Sequence, residues 1–137
     1  MKYLLDTCVI SDFVKGDHAT LIAIKKHIPA DLAISCITEM EIRYGLLLNP
    51  ARAAKVSKVI DRMLETMTIL RFSRKEANCA ATLRAALRSQ GTPIGPYDIL
   101  IAASAIVHDL ILVTANEREF ARVSELQCEN WRCLPYV

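Results

Sequence analysis

Three carboxylates stand where a chain of 137 residues has little reason to put acids. Asp6 sits in MKYLLDTCVIS, Glu41 in ITEMEIRYG and Asp98 in GPYDILIAASA, each inside or at the end of an apolar run. An ionised carboxylate buried without a partner is very costly. Acids arriving from three distant stretches therefore point to one cation that collects them. A small acidic cluster holding Mg²⁺ is a common device for cutting or moving phosphate esters.

Each acid also has a plainer reading. Asp6, between a strand and a helix, suits an N-cap, and a helix start that holds a carboxylate can hold a phosphate nearby as well. Glu41 falls within a helical stripe of Ile37, Met40, Tyr44 and Leu48. An acid in such a stripe pairs with a cation, binds a metal or stays protonated. Asp98 opens a helix that is apolar nearly all round, with Ala102 and Ala105 on its own face. First-turn dipole stabilisation, worth about 0.3–1 kcal/mol at an exposed site, is too small to justify burial there.

Other chemistries fit worse. The chain has no GxxxxGK[ST] or GxGxxG loop, and His18, His27 and His108 lack zinc-ligand spacing. The five cysteines, Cys8, Cys36, Cys79, Cys128 and Cys133, form no CxxC pair. They read as reduced thiols, with any meeting of Cys128 and Cys133 a coincidence. No apolar run reaches the roughly 20 residues that span a bilayer. The N-terminus, with acids at 6 and 12, does not read as a signal peptide. A cytoplasmic protein is expected.

Charge divides the chain. Residues 43–90 carry 10 basic and 3 acidic side chains, whereas both flanks are net negative. Within that block Arg52, Lys55, Lys58 and Arg62 lie along one side of a helix, and Arg84 and Arg88 stand one turn apart. A basic block beside an acidic site suits a polyanionic substrate. A solvated basic helix face would look the same.

The elements that must position these residues alternate. Strands are expected at Tyr3–Leu5, Leu32–Cys36, Thr68–Phe72, Ile111–Thr114 and Asn130–Leu134. Helices are expected at Thr7–Val14, from Asp17 to His27, and at Ile37–Leu48, Ala51–Met67, Arg74–Gln90, Tyr97–His108 and Glu117–Val123. This order predicts an α/β fold: one domain over 1–137 with a central parallel sheet of four or five strands and helices on both faces. Ligands in such sheets bind outside the carboxyl ends of the strands, where Asp6, Thr114 and Asn116 fall.

Four stretches, LLDTCVI, TEMEIRYG, GTPIGPYDILIAASA and LVTANEREFARV, resemble in order the four motifs of the PIN-domain nucleases. The wording of the third and fourth is similar to that of the VapC toxins of bacterial toxin–antitoxin pairs. The resemblance implies an endoribonuclease that depends on Mg²⁺, with Mn²⁺ able to substitute, and Asp6, Glu41 and Asp98 as its metal-holding catalytic acids. It implies supporting roles for Thr7, Thr114, Asn116 and Glu117, with Glu119 beside it as a further acid. An amide at 116 replaces the fourth acid of many members, and Cys8 replaces their usual asparagine.

Further expectations follow from the resemblance. The substrate is a structured RNA, a tRNA or a ribosomal RNA loop, cut by water attack, with the basic residues named above as phosphate contacts. The partners are a VapB-type antitoxin, contacting the helices between Ala19 and Leu48, and a second copy in a homodimer. Two alternatives stay open: a catalytically weakened RNA- or protein-binding module on the same scaffold, and a small phosphatase, which DTC suits poorly for want of a DxD pattern.

Overall fold

Alternation at period two decides how the sheet is buried. The computed structural model describes residues 1–133, with the backbone alone for Cys133. Strands β1 (Tyr3–Leu5), β2 (Leu32–Ser35), β3 (Thr68–Leu70), β4 (Ile111–Val113) and β5 (Cys128–Glu129) form one parallel sheet in the order β3-β2-β1-β4-β5. Leu4, Ala33 and Leu112 stand in register and face one core, while Tyr3, Leu5, Leu32, Ile34 and Val113 face the other. Both sheet faces are therefore covered, as an α/β sheet requires. Each fully buried Leu or Ile contributes about 1.5–3 kcal/mol relative to exposure.

The helices are α1 (Thr7–Lys15), α2 (His18–Lys25), α3 (Cys36–Leu48), α4 (Pro50–Thr66), α5 (Arg74–Ser89), α6 (Pro96–Val107) and α7 (Glu117–Phe120). Their starts are written in capping residues. Asp6, Asp17, Ser35 and Asn49 each accept a backbone N–H, and Pro50 and Pro96 occupy first positions. Gly16, at φ 80°, closes α1 in the left-handed conformation that a Cβ disfavours.

The expected α/β class, the parallel sheet and the covering helices are all present. Two local expectations are corrected. The last strand is not at Asn130–Leu134 but two residues earlier, and it is only two residues long. Asn130 Oδ1 accepts the Arg132 N–H at 3.0 Å, which turns the chain into a short 3₁₀ segment, Trp131–Cys133, instead of extending it. Leu134, the end of the expected strand, lies outside the described residues. On α3, the stripe of Met40, Tyr44 and Leu48 is exposed, and the buried positions are Thr38 and Ile42. Of the expected stripe only Ile37, in the first turn, packs against the core, while Met40, Tyr44 and Leu48 face away from it.

Candidate active site

The site lies at the carboxyl ends of β1 and β4, where the strand order reverses direction. Asp6 follows β1 directly and is buried. Its Oδ1 accepts the Thr7 N–H at 2.8 Å and its Oδ2 accepts the Thr114 hydroxyl at 2.8 Å. The cap and ligand readings of Asp6 are thus compatible, because a carboxylate oxygen has lone pairs to spare.

Thr7 links two of the acids. Its N–H serves Asp6, while its hydroxyl donates to Glu41 Oε1 at 2.8 Å. Glu41 enters from α3, half-buried at the inner edge of the exposed stripe. Asp98 enters from the first turn of α6, a helix whose Ile101, Ala102, Ala103 and Ala105 are fully buried. These side chains line one open cavity of about 390 Å³ together with Cys8, Ala115, Asn116 and Arg132.

Asp98 has the most perturbed acidity of the three. Burial, then the charges of Glu119, Asp6 and Glu41, and a hydrogen bond shared with Glu119 push its carboxyl up to about 7. Glu119 is held the other way. Gly95 N–H donates to its Oε1 at 2.6 Å and Asn116 Nδ2 to its Oε2 at 2.7 Å, which keep it below the ordinary carboxylate range. Gly95 also leaves room for the acids. A Cβ there would stand 3.1 Å from Asp98 Oδ2, although the backbone, at φ −57°, is open to any residue.

Glu117, expected in support, is not brought to the site. It is exposed and accepts from Asn130 Nδ2 at 3.3 Å, while Glu119, two residues on, turns inward. Cys8 Sγ accepts the Ala115 N–H at 3.4 Å and lies 3.6 Å from Asp6 Oδ2, so the thiol takes up the contacts an amide would make. Burial, reinforced by the Asp6 charge, pushes its pKa up, which keeps it a thiol.

The basic residues separate. Arg52 lines a second cavity together with Thr7 and Glu41, and so adjoins the acids. Lys55 and Lys58 are exposed on α4, Arg62 borders a cavity with His27 and Phe13, and Arg84 and Arg88 border one between α5 and α6. Sequence reasoning missed one pair altogether. Buried Asp12 of α1 accepts Arg132 Nε–H at 2.5 Å and an Nη2–H at 2.6 Å. Asp12, an acid beside Phe13 and Val14, was the available signal; its partner lies 120 residues away.

A PIN domain family model matches residues 3–126. The chain belongs to the PIN-domain family, and its relatives in that family are nucleases by name. Within the family it is a VapC-type ribonuclease. It is 35% identical over 131 residues to Ribonuclease VapC2 of Haemophilus influenzae, covering 96% of this chain and 98% of that one. It is 32% identical, with the same coverage, to the tRNA(fMet)-specific endonuclease VapC of Shigella flexneri. Among solved structures, DNA-bound VapBC from Salmonella typhimurium superposes with a TM-score of 0.88 at 30% identity, covering 96% of this chain and 98% of that chain.

Proposed function

We propose that this ribonuclease is metal-dependent, using Mg²⁺ or in its place Mn²⁺, and that it cuts structured RNA as the toxic half of a toxin–antitoxin pair in the cytoplasm. The observation that carries this is the meeting of Asp6, Glu41 and Asp98, from three separate elements, in one open cavity. The donor set fits a hard divalent cation: all three acids offer oxygens, and the one nearby sulfur stays protonated. Among the described residues, no three Asp, Glu, His or Cys side chains are gathered closely enough to hold an ion as they stand. Burial, and then the like charges of Glu119, Asp6 and Glu41, raise the pKa of Asp98, and a bound cation would offset both.

When bound, the cation supplies positive charge to the scissile phosphate and the leaving oxygen. The chain's own residues do the rest. Thr7 and Thr114 orient Asp6, and Thr7 also orients Glu41. Asp98 releases its proton as the site fills. Glu119, held ionised beside Asp98 by Gly95 and Asn116, keeps negative charge next to the acids, and a carboxylate of the cavity accepts the proton of the attacking water. Water attack leaves a 5′-phosphate and a 3′-hydroxyl.

The Shigella relative is named for tRNA(fMet), which makes tRNA the first substrate to try and a ribosomal RNA loop the second. Unstacked loop nucleotides reach such a site readily. Arg52, beside Glu41, is the best placed of the basic residues between 43 and 90 to meet the RNA backbone, with Lys55 and Lys58 continuing along α4. A VapB-type antitoxin and a second copy of the chain are the proposed protein partners. Supporting them are Met40, Tyr44, Leu47 and Leu48, apolar side chains left exposed along α3. The first test incubates the protein, free of antitoxin, with tRNA and ribosomal RNA in Mg²⁺ or EDTA. Discrete metal-dependent fragments with 5′-phosphate ends are expected. A 2′,3′-cyclic phosphate would reject water attack, and no cleavage of either RNA would favour the binding-module reading, with Asn116 as the disarming residue.

A further inference from the structure

The acid cavity has one cation among its lining residues, Arg132. We propose that Arg132 holds a phosphate of the RNA at the edge of the active site, and that Asp12 is the positioning residue that aims it. This rests on the ribonuclease reading above and adds a substrate-binding residue to it.

The pairing geometry carries the argument. Asp12 engages the Nε–H and one Nη2–H of Arg132, the side edge of the guanidinium. Two of five donors are used, and the remaining three include the complete end fork formed by Nη1 and Nη2. An end fork matches two oxygens of a phosphate. The side chain of Arg132 remains 48% exposed and borders the cavity of Asp6, Glu41 and Asp98, so the fork is accessible to a ligand there.

A purely structural role explains the pair less well. The segment around Arg132 is already anchored by its neighbour. Trp131 is 2% exposed, stacks on His27 with ring centroids 5.1 Å apart, and meets Tyr3 edge-on at 5.4 Å. Its indole N–H donates to Glu129 at 3.1 Å. Half-exposed ion pairs add little to stability, whereas burying Asp12 carries a desolvation cost. What the pair does provide is a fixed direction for a long side chain. It points that side chain at a cavity whose other charges repel RNA.

The test is equilibrium binding of a labelled anticodon stem-loop RNA in EDTA, where no metal-dependent cutting occurs, over a series of salt concentrations. Arg132→Ala is expected to weaken binding about tenfold and to lower the slope of log K against log salt by about 0.7 to 1. Asp12→Asn is expected to weaken binding a few-fold with the slope kept, because the charge remains but loses its aim. The double variant Asp12→Asn with Arg132→Gln keeps a hydrogen-bonded pair, should fold if Arg132→Ala does not, and is expected to show the same reduced slope. Unchanged affinity and slope in the charge-removing variants, or a lower Tm with the slope unchanged, would make the pair a pin and overturn the proposal. RNA binding that depends on Arg132 in a protein that never cuts RNA would leave this assignment standing and sink the nuclease mechanism alone.

Discussion

Two acids sit in the first turns of the neighbouring helices α5 and α6, and they have opposite fates. Glu76 is more buried than Asp98, yet its carboxyl is held at about 2. Ser73 surrounds it with donors: its backbone N–H at 2.9 Å and its hydroxyl both reach Glu76 Oε2, completing a capping box. His108, from the far end of α6, meets Oε1 at 2.9 Å. Asp98 has no such donors among the described residues, and burial together with the charges of Glu119, Asp6 and Glu41 pushes it up to about 7. Burial alone therefore does not decide the ionisation of an acid in this fold. Donors make Glu76 part of the scaffold, and burial among acids without such donors sets Asp98 apart.

The contrast predicts its widest separation in cleavage. Asp98→Asn is expected to lower the cutting rate about a thousandfold, since it removes charge from the reacting centre. Glu76→Gln is expected to leave the rate per folded molecule within about twofold. Equal losses in the two variants, measured by single-turnover RNA cleavage, would erase the distinction.

A narrower separation concerns cation affinity. A proton on Asp98 competes with the cation below about pH 7. Mg²⁺ affinity, read by calorimetry, should rise about tenfold per pH unit up to that point and then level off. Glu76, ionised throughout, should not change this profile when replaced by Gln. A flat profile for the parent protein would mean that Asp98 does not bind the ion.

The smallest effect is on stability, and the signs are opposite. The folded pKa of Glu76 lies below the ordinary value, so its contribution is present above about pH 4.5 and is lost as pH falls toward 2. Replacing it with Ala removes the capping box at a cost of about 1 kcal/mol, a Tm loss of a few degrees at pH 7. The folded pKa of Asp98 lies above the ordinary value, so its ionisation penalises folding as pH rises from about 4 through 7. Asp98→Asn should raise the Tm of the metal-free protein by a few degrees at pH 8 and leave it unchanged at pH 4. Thermal melts at the two pH values check both.

Much of this arrangement was legible in the residue order. Period-two and helical patterns located the main strands and helices, because local burial dictates them. Asp6 and Asp98 stood out as acids against apolar runs. Glu41 stood out for a reason that survives only in part: of its stripe, Ile37 packs inward but Met40, Tyr44 and Leu48 face outward, because tertiary packing on the sheet and not the wheel pattern decides which side of α3 is covered. The inward turn of Glu119 depends on the Gly95 N–H, and Arg132 depends on Asp12. Both are pairings across long stretches of chain that no local pattern encodes.

Gly95 shows how a site can be altered without touching the core beneath it. Its φ of −57° is one that ordinary side chains tolerate, so an alanine there strains no backbone. A methyl group nonetheless crowds Asp98 at 3.1 Å and must displace the carboxylate by a few tenths of an ångström. The whole cost of that one carbon falls on the acids, and a measure of abundance alone would miss it.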